Sequence, residues 1–160
     1  MLPTTVLFLG VVLNALMAGL YFGFTTAVMP GLAHADDRTY VTAMQRIDRA
    51  IQNPWFFIAF LGALVVPGVA VLLHLGDGES LRLPWIVGGA VSYGLTLVIT
   101  GVINIPLNNR LAAAGAVDDR RAASVRAMYH RRWVRANDLR TALCVVAVVL
   151  LLIALTLPIR

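Results

Sequence analysis

Residues 54–74 read PWFFIAFLGALVVPGVAVLLH, a run without a single Asp, Glu, Lys or Arg. About 20 predominantly apolar residues are needed for a helix to cross roughly 30 Å of hydrocarbon. This run meets that length, and a buried helix of a soluble domain is rarely so long and so free of charge. Three more runs read the same way, at 4–29, 83–105 and 139–157, with Arg140 only at the edge of the last. The whole 160-residue chain agrees, being 59% hydrophobic and 13% charged, against roughly 25% charged residues in soluble domains. The expected fold is all-α: a single integral-membrane four-helix bundle over 1–160.

Charge gives the orientation. All thirteen basic residues are Arg. Arg38, Arg46 and Arg49 lie between the first and second runs. Arg110, Arg120, Arg121, Arg126, Arg131, Arg132 and Arg135 precede the fourth, and Arg140 borders it. Only Arg82 and Arg160 fall on the other side. Arg excess in short loops marks the cytoplasmic face, so both termini are expected outside the cytoplasmic membrane and the Arg-rich loops inside. The net charge of +5 does not make a nucleic-acid surface, because Asp36, Asp37, Asp118 and Asp119 dilute it.

Between the spans, Asp36 or Asp37 can cap a helix running to about Gln52. Tyr40, Met44, Ile47 and Ile51 share one face of it, and Arg38, Gln45, Arg49 and Gln52 another. Such an amphipathic helix suits the cytoplasmic interface. Asn53-Pro54 starts the second span, and Gly76-Asp77-Gly78 makes a tight external link to the third. Asp118 or Asp119 starts an Arg-rich helix that can continue into the fourth. Pro30-Gly31 is expected to end the first helix, and Pro106 interrupts the third at its membrane exit. The halves echo each other weakly, so a duplicated hairpin is an open reading. Ala33-His34-Ala35 resembles a peptidase site, but the preceding apolar run is far longer than a signal core, so the first helix is read as retained.

Polar residues inside hydrocarbon are costly, and their alignment is informative. Asn14, Tyr21 and Thr25 share a face of the first span. Tyr93, Thr100 and Asn104 repeat the same seven-and-four spacing in the third. His130, Trp133, Asn137 and Arg140 follow one stripe into the fourth, prolonged by Thr141 and Cys144. The richest parts lie toward the Arg-rich ends, which points to a polar pocket there. The plainer alternatives are structural. Asn14 above all reads as interhelical glue, and Tyr129 and Trp133 also fit an interfacial aromatic belt. Ala15, Gly19 and Gly23 form a small-residue ridge on which a homo-oligomer could pack. Cys144 is alone, and three scattered His with eight acids make no metal site. No phosphate loop, HExxH or GxSxG occurs.

The segment TGVINIPLNNRL at 100–111, with Trp133, Asn137, Arg140 and Thr141 downstream, resembles the anthrone-oxygenase-like family of small membrane proteins. MPGL at 29–32 and AMQRI at 43–47 match weaker family segments. Asp48 departs from the pattern, standing where an Asn is expected. The resemblance implies a membrane-embedded oxygenase acting on a hydrophobic, polycyclic aromatic small molecule of anthrone type, without a conventional cofactor. It further implies His130 as base, with Asp48 as substitute. Asn104, Asn137 and Arg140 would donate to an oxyanion, and Trp133 would stack on the ring. Thr100, Tyr93, Tyr21, Thr25 and Asn108 would complete substrate binding. The competing class is a non-enzymatic protein that binds a small molecule or lipid, or an accessory subunit. The asparagines discriminate: amides facing a cavity favour a site, and amides satisfied between helices favour scaffolding.

Overall fold

In the computed structural model, which describes residues 2–75 and 81–158, each apolar run is a helix and each local stop signal has a visible cause. Helix α1 (Leu2–Gly23) passes through a π-turn (Phe24–Val28) into α2 (Met29–Ala33). Helix α3 (Asp37–Ile51) starts on Asp36, whose carboxylate accepts from the Thr39 N–H at 2.8 Å. Asn53 caps α4 (Pro54–His74) in the same way through the Phe56 N–H. Helix α5 (Leu83–Ile99) passes through a second π-turn (Thr100–Asn104) into α6 (Ile105–Ala113). Asp118 caps α7 (Asp119–Thr156), a helix of 38 residues. At 1.5 Å per residue it is about 57 Å long, so it crosses the apolar slab and projects well beyond it. Four helices are long and apolar enough to span a membrane, and the protein is an all-α, multi-pass membrane bundle. The Gly76-Asp77-Gly78 link lies outside the described residues.

The four spans pack in the cyclic order α1, α4, α5, α7. At the end holding the chain termini, Leu7, Val11, Ala70, Ile86, Leu151 and Ala154 form one core layer. Buried Arg82 closes this end, donating through Nε to the Leu157 carbonyl at 2.9 Å. A middle layer contains Met17, Tyr21, Ala63, Tyr93 and Cys144. At the Arg-rich end, α3 lies against α6 and α7, burying Tyr40, Val41, Met44, Leu107, Leu111, Tyr129 and Trp133. The expected phase of α3 needs one change. Gln45 is buried, because its Nε2 donates to the Leu111 and Gly115 carbonyls at 2.8 and 2.9 Å and so closes the C-terminus of α6. Gly115 there has φ +63, a conformation that favours glycine.

The first helix does not end at Pro30-Gly31. Proline lacks the N–H that a helix would need, and the chain accommodates this with a wider turn. Met29 N–H reaches back to the Phe24 carbonyl, and Ile105 N–H to the Thr100 carbonyl. Pro30 and Pro106 each follow their π-turn by two residues. The two halves of the chain therefore solve the same backbone problem identically. The Ala15/Gly19/Gly23 ridge is not used inside the bundle: Ala15 and Gly19 are exposed, and a Cβ on Gly19 or Gly23 would meet nothing within 4 Å.

Asn14 repairs another proline. Pro67 sits inside α4 and leaves the Ala63 carbonyl without its helical donor. Asn14 Nδ2 donates to that carbonyl at 2.8 Å and to Gly10 O at 2.9 Å. A Cβ on Gly10 would stand only 3.2 Å from the Pro67 ring, so glycine lets the two helices approach. Asn14→Leu is expected to cost about 1–3 kcal/mol, the penalty of an unmade buried hydrogen bond. Adding Pro67→Ala restores the helical donor and should recover most of the loss. Unfolding in detergent measures both, and equal losses with and without Pro67 would refute the pairing.

Candidate functional site

Between the middle core layer and the Arg-rich layer the bundle leaves a cavity of about 260 Å³. That is just below the roughly 300–1,000 Å³ typical of small-molecule pockets. Its inner wall is buried: Tyr21 from α1, Met44 from α3, Asn104 from the second π-turn, and Tyr129, Trp133, Asn137 and Arg140 from α7. Phe56 and Phe60, stacked with centroids 5.1 Å apart, form the α4 wall. The mouth lies at the seam between the α3–α4 junction and α6. Its rim residues Gln52, Phe57, Ile105 and Asn109 are exposed. Close in sequence to these rim residues, Trp55 is 81% exposed and Val102 71% exposed, large apolar side chains on the outside of the bundle.

The deepest part of the cavity is cationic. Arg140 is only 5% exposed. Its Nη1 donates to Thr100 Oγ1 at 3.2 Å and its Nη2 to Asn137 Oδ1 at 3.0 Å. The guanidinium carbon stands 4.3 Å from the Tyr21 ring centroid and 5.7 Å from that of Trp133. No carboxylate pairs with it among the described residues; the ion pair found there joins Arg126 to Asp37 at 2.9 Å. Arg140 Nε has no hydrogen-bond partner, nor has either amide atom of Asn104, which is 2% exposed; the Tyr21 hydroxyl faces Arg140 and Thr100. Buried polar groups are nearly always paired. Arg140 Nε and the two amide atoms of Asn104 are thus buried polar atoms without a partner around one cavity.

The asparagines divide as the two competing classes require. Asn104 faces the cavity unsatisfied. Asn137 lines it but is fully engaged, donating to Tyr21 O at 3.0 Å and Thr25 Oγ1 at 2.9 Å while its oxygen holds Arg140. Asn14 lies outside the cavity. Thr25 is also away from it, bonded to Asp138 and Thr141. Tyr93 lies behind the wall, its hydroxyl donating to Phe60 O at 2.7 Å. His130 does not line the cavity: its Nδ1 pairs with Tyr40 Oη at 3.0 Å, and the two rings meet edge-on.

The carboxylate that does line it is Asp48 on α3. Burial raises its pKa above the ordinary carboxylate value, opposed by the hydrogen bond from Asn108 and the charge of Arg49. Asn108 Nδ2 donates to Asp48 Oδ1, while Asn108 Oδ1 accepts from Tyr129 Oη and Trp133 Nε1, each at 3.0 Å. Tyr129 and Trp133 are therefore interior residues, not an interfacial belt; they are 0% and 6% exposed. Sequence reasoning missed the Phe56, Phe57 and Phe60 wall, since phenylalanines at a span's start also suit lipid. It also missed Met44 and Tyr129 as lining residues.

Residues 54–150, well over half the chain, match the family described as Anthrone oxygenase. No curated protein and no solved structure matches.

Proposed function

Because the chain belongs to the anthrone oxygenase family, we propose that its cavity binds a hydrophobic, polycyclic aromatic ketone of anthrone type and commits it to reaction with dioxygen. The observation that carries this reading is buried Arg140, which has no counter-ion among the described residues and lines the same cavity as Asn104, its Nε and both amide atoms of Asn104 being unpaired. That pair suits an enolate oxygen. Asp48 accepts the proton from the ring methylene carbon, and the electron pair moves onto the ketone oxygen beside Arg140 and Asn104. The electron-rich carbon then bonds to dioxygen, and the peroxide anion so formed takes the proton back from Asp48 to become a hydroperoxide. Loss of water from it leaves a second ketone. One dioxygen is consumed, one of its atoms enters the quinone, and the other leaves in water. Trp133, Phe56 and Phe60 provide aromatic walls for the rings, and Asn137 orients Arg140.

His130 gives way to Asp48 as base in this reading because it is turned onto Tyr40 and away from the cavity. The Arg distribution supports a cytoplasmic Arg-rich end and external termini. The cavity thus sits near the inner surface of the cell membrane.

The test is oxygen uptake by detergent-purified protein given an anthrone. Asn104→Ala should lower protein-dependent uptake about 100-fold, as loss of an oxyanion donor does. Uptake no faster than the spontaneous background rules out an anthrone substrate. Saturable binding without uptake would instead favour a non-enzymatic binding protein.

A further inference from the structure

The hydrogen bonds around Asn108 have only one consistent direction. An indole N–H donates and never accepts, so the Asn108 atom 3.0 Å from Trp133 Nε1 is the amide oxygen. The Tyr129 hydroxyl donates to the same oxygen at 3.0 Å. The NH₂ group must then face Asp48 Oδ1, and an amide nitrogen offers only protons. Asp48 Oδ1 therefore has to be an acceptor, and a proton arriving at this carboxylate has one place to go, Oδ2. Gln52 Nε2 also donates to that oxygen, at 3.5 Å, but Gln52 is exposed and this long bond leaves its amide able to turn, whereas the Asn108 amide is held. Asp48 is thus faced by Asn108 from α6, with Tyr129 of α7 behind that amide, and by Arg49 and Gln52 of its own helix.

We propose that Asn108 is a positioning residue which, locked by Trp133 and Tyr129, reserves Asp48 Oδ2 as the atom that takes the substrate's proton. This rests on Asp48 being the proton acceptor of the preceding section. It separates two roles for polar residues of one motif: Asn104 meets the substrate, and Asn108 acts through Asp48.

Infrared titration of the substrate-free protein tests the lock without reference to turnover. The carboxyl band of Asp48 is assigned by difference against Asp48→Asn. Asn108→Leu removes a bond that favours the carboxylate, so the protonation midpoint should move to higher pH. Tyr129→Phe combined with Trp133→Phe removes both donors, keeps an aromatic ring at each position and frees the amide to turn its oxygen toward Asp48, so it should move the midpoint the same way. In oxygen uptake, Asn108→Leu should lower kcat roughly 10- to 100-fold with KM changed far less. An unmoved midpoint in both variants overturns the lock. A moved midpoint with Asp48→Asn fully active overturns the catalytic role of Asp48 while leaving the hydrogen-bond direction intact, so the two failures are told apart.

Discussion

Arg140→Met is expected to lower oxygen uptake about 100- to 1,000-fold while changing stability little, because removal of a buried unpaired charge offsets the loss of the donor to the Asn137 oxygen. Both effects start from the buried charge. Arg140 is buried, its Nε is unpaired, and no acid faces it among the described residues. Desolvating a charge without a counter-ion is unfavourable, and the empty site carries that cost continuously. Methionine has similar reach, keeps contact with Tyr21 and Trp133, and removes the penalty. The proposed enolate loses its cation at the same time. Arg140→Lys keeps the charge but not the planar fork that engages Thr100 and Asn137 together, and should fall between the two. Uptake and thermal unfolding on the same preparations check both halves. A Met variant with parental activity would end the oxyanion assignment.

The second large effect belongs to Asp48. Asp48→Asn is nearly isosteric, and its amide oxygen can still accept from Asn108, so the helix pairing of α3 with α6 survives. The base does not. Turnover should fall about 100- to 10,000-fold, the range for a lost general base. As the proposed base, Asp48 acts only when ionised, and burial holds its pKa above the usual carboxylate value. Activity should therefore rise with pH through a midpoint above that of an exposed Asp, and the variant's residual rate should lack this limb. A parent profile that is flat across the acid range would remove Asp48 from the mechanism.

How far the sequence could be read depended on whether a feature is local. The spans follow from run length, and the caps Asp36, Asn53 and Asp118 follow from the side-chain chemistry of the residue just before each helix. The stripe Trp133, Asn137 and Arg140 was legible because α7 is unbroken. His130 was misleading for an angular reason: it lies roughly 60° around the helix from Trp133, at the stripe's edge, where α3 brings Tyr40 against it. Tyr93 and Thr25 obey the same spacing as residues that reach the cavity, yet their stripes continue past its limits. What could not be read was long-range compensation. Gln45 reads as surface until the C-terminus of α6 is seen above it. Nothing near Asn14 in the chain announces Pro67.

On the proposed reading, a mouth between Phe57 and Ile105 that opens on lipid has a kinetic meaning. A site that opens on lipid samples its substrate at the concentration dissolved in the bilayer, and a polycyclic aromatic compound partitions there strongly. Its apparent affinity is then a property of two phases. Adding empty vesicles at fixed total substrate should slow the reaction by dilution in the membrane plane, although nothing about the protein or the water has changed.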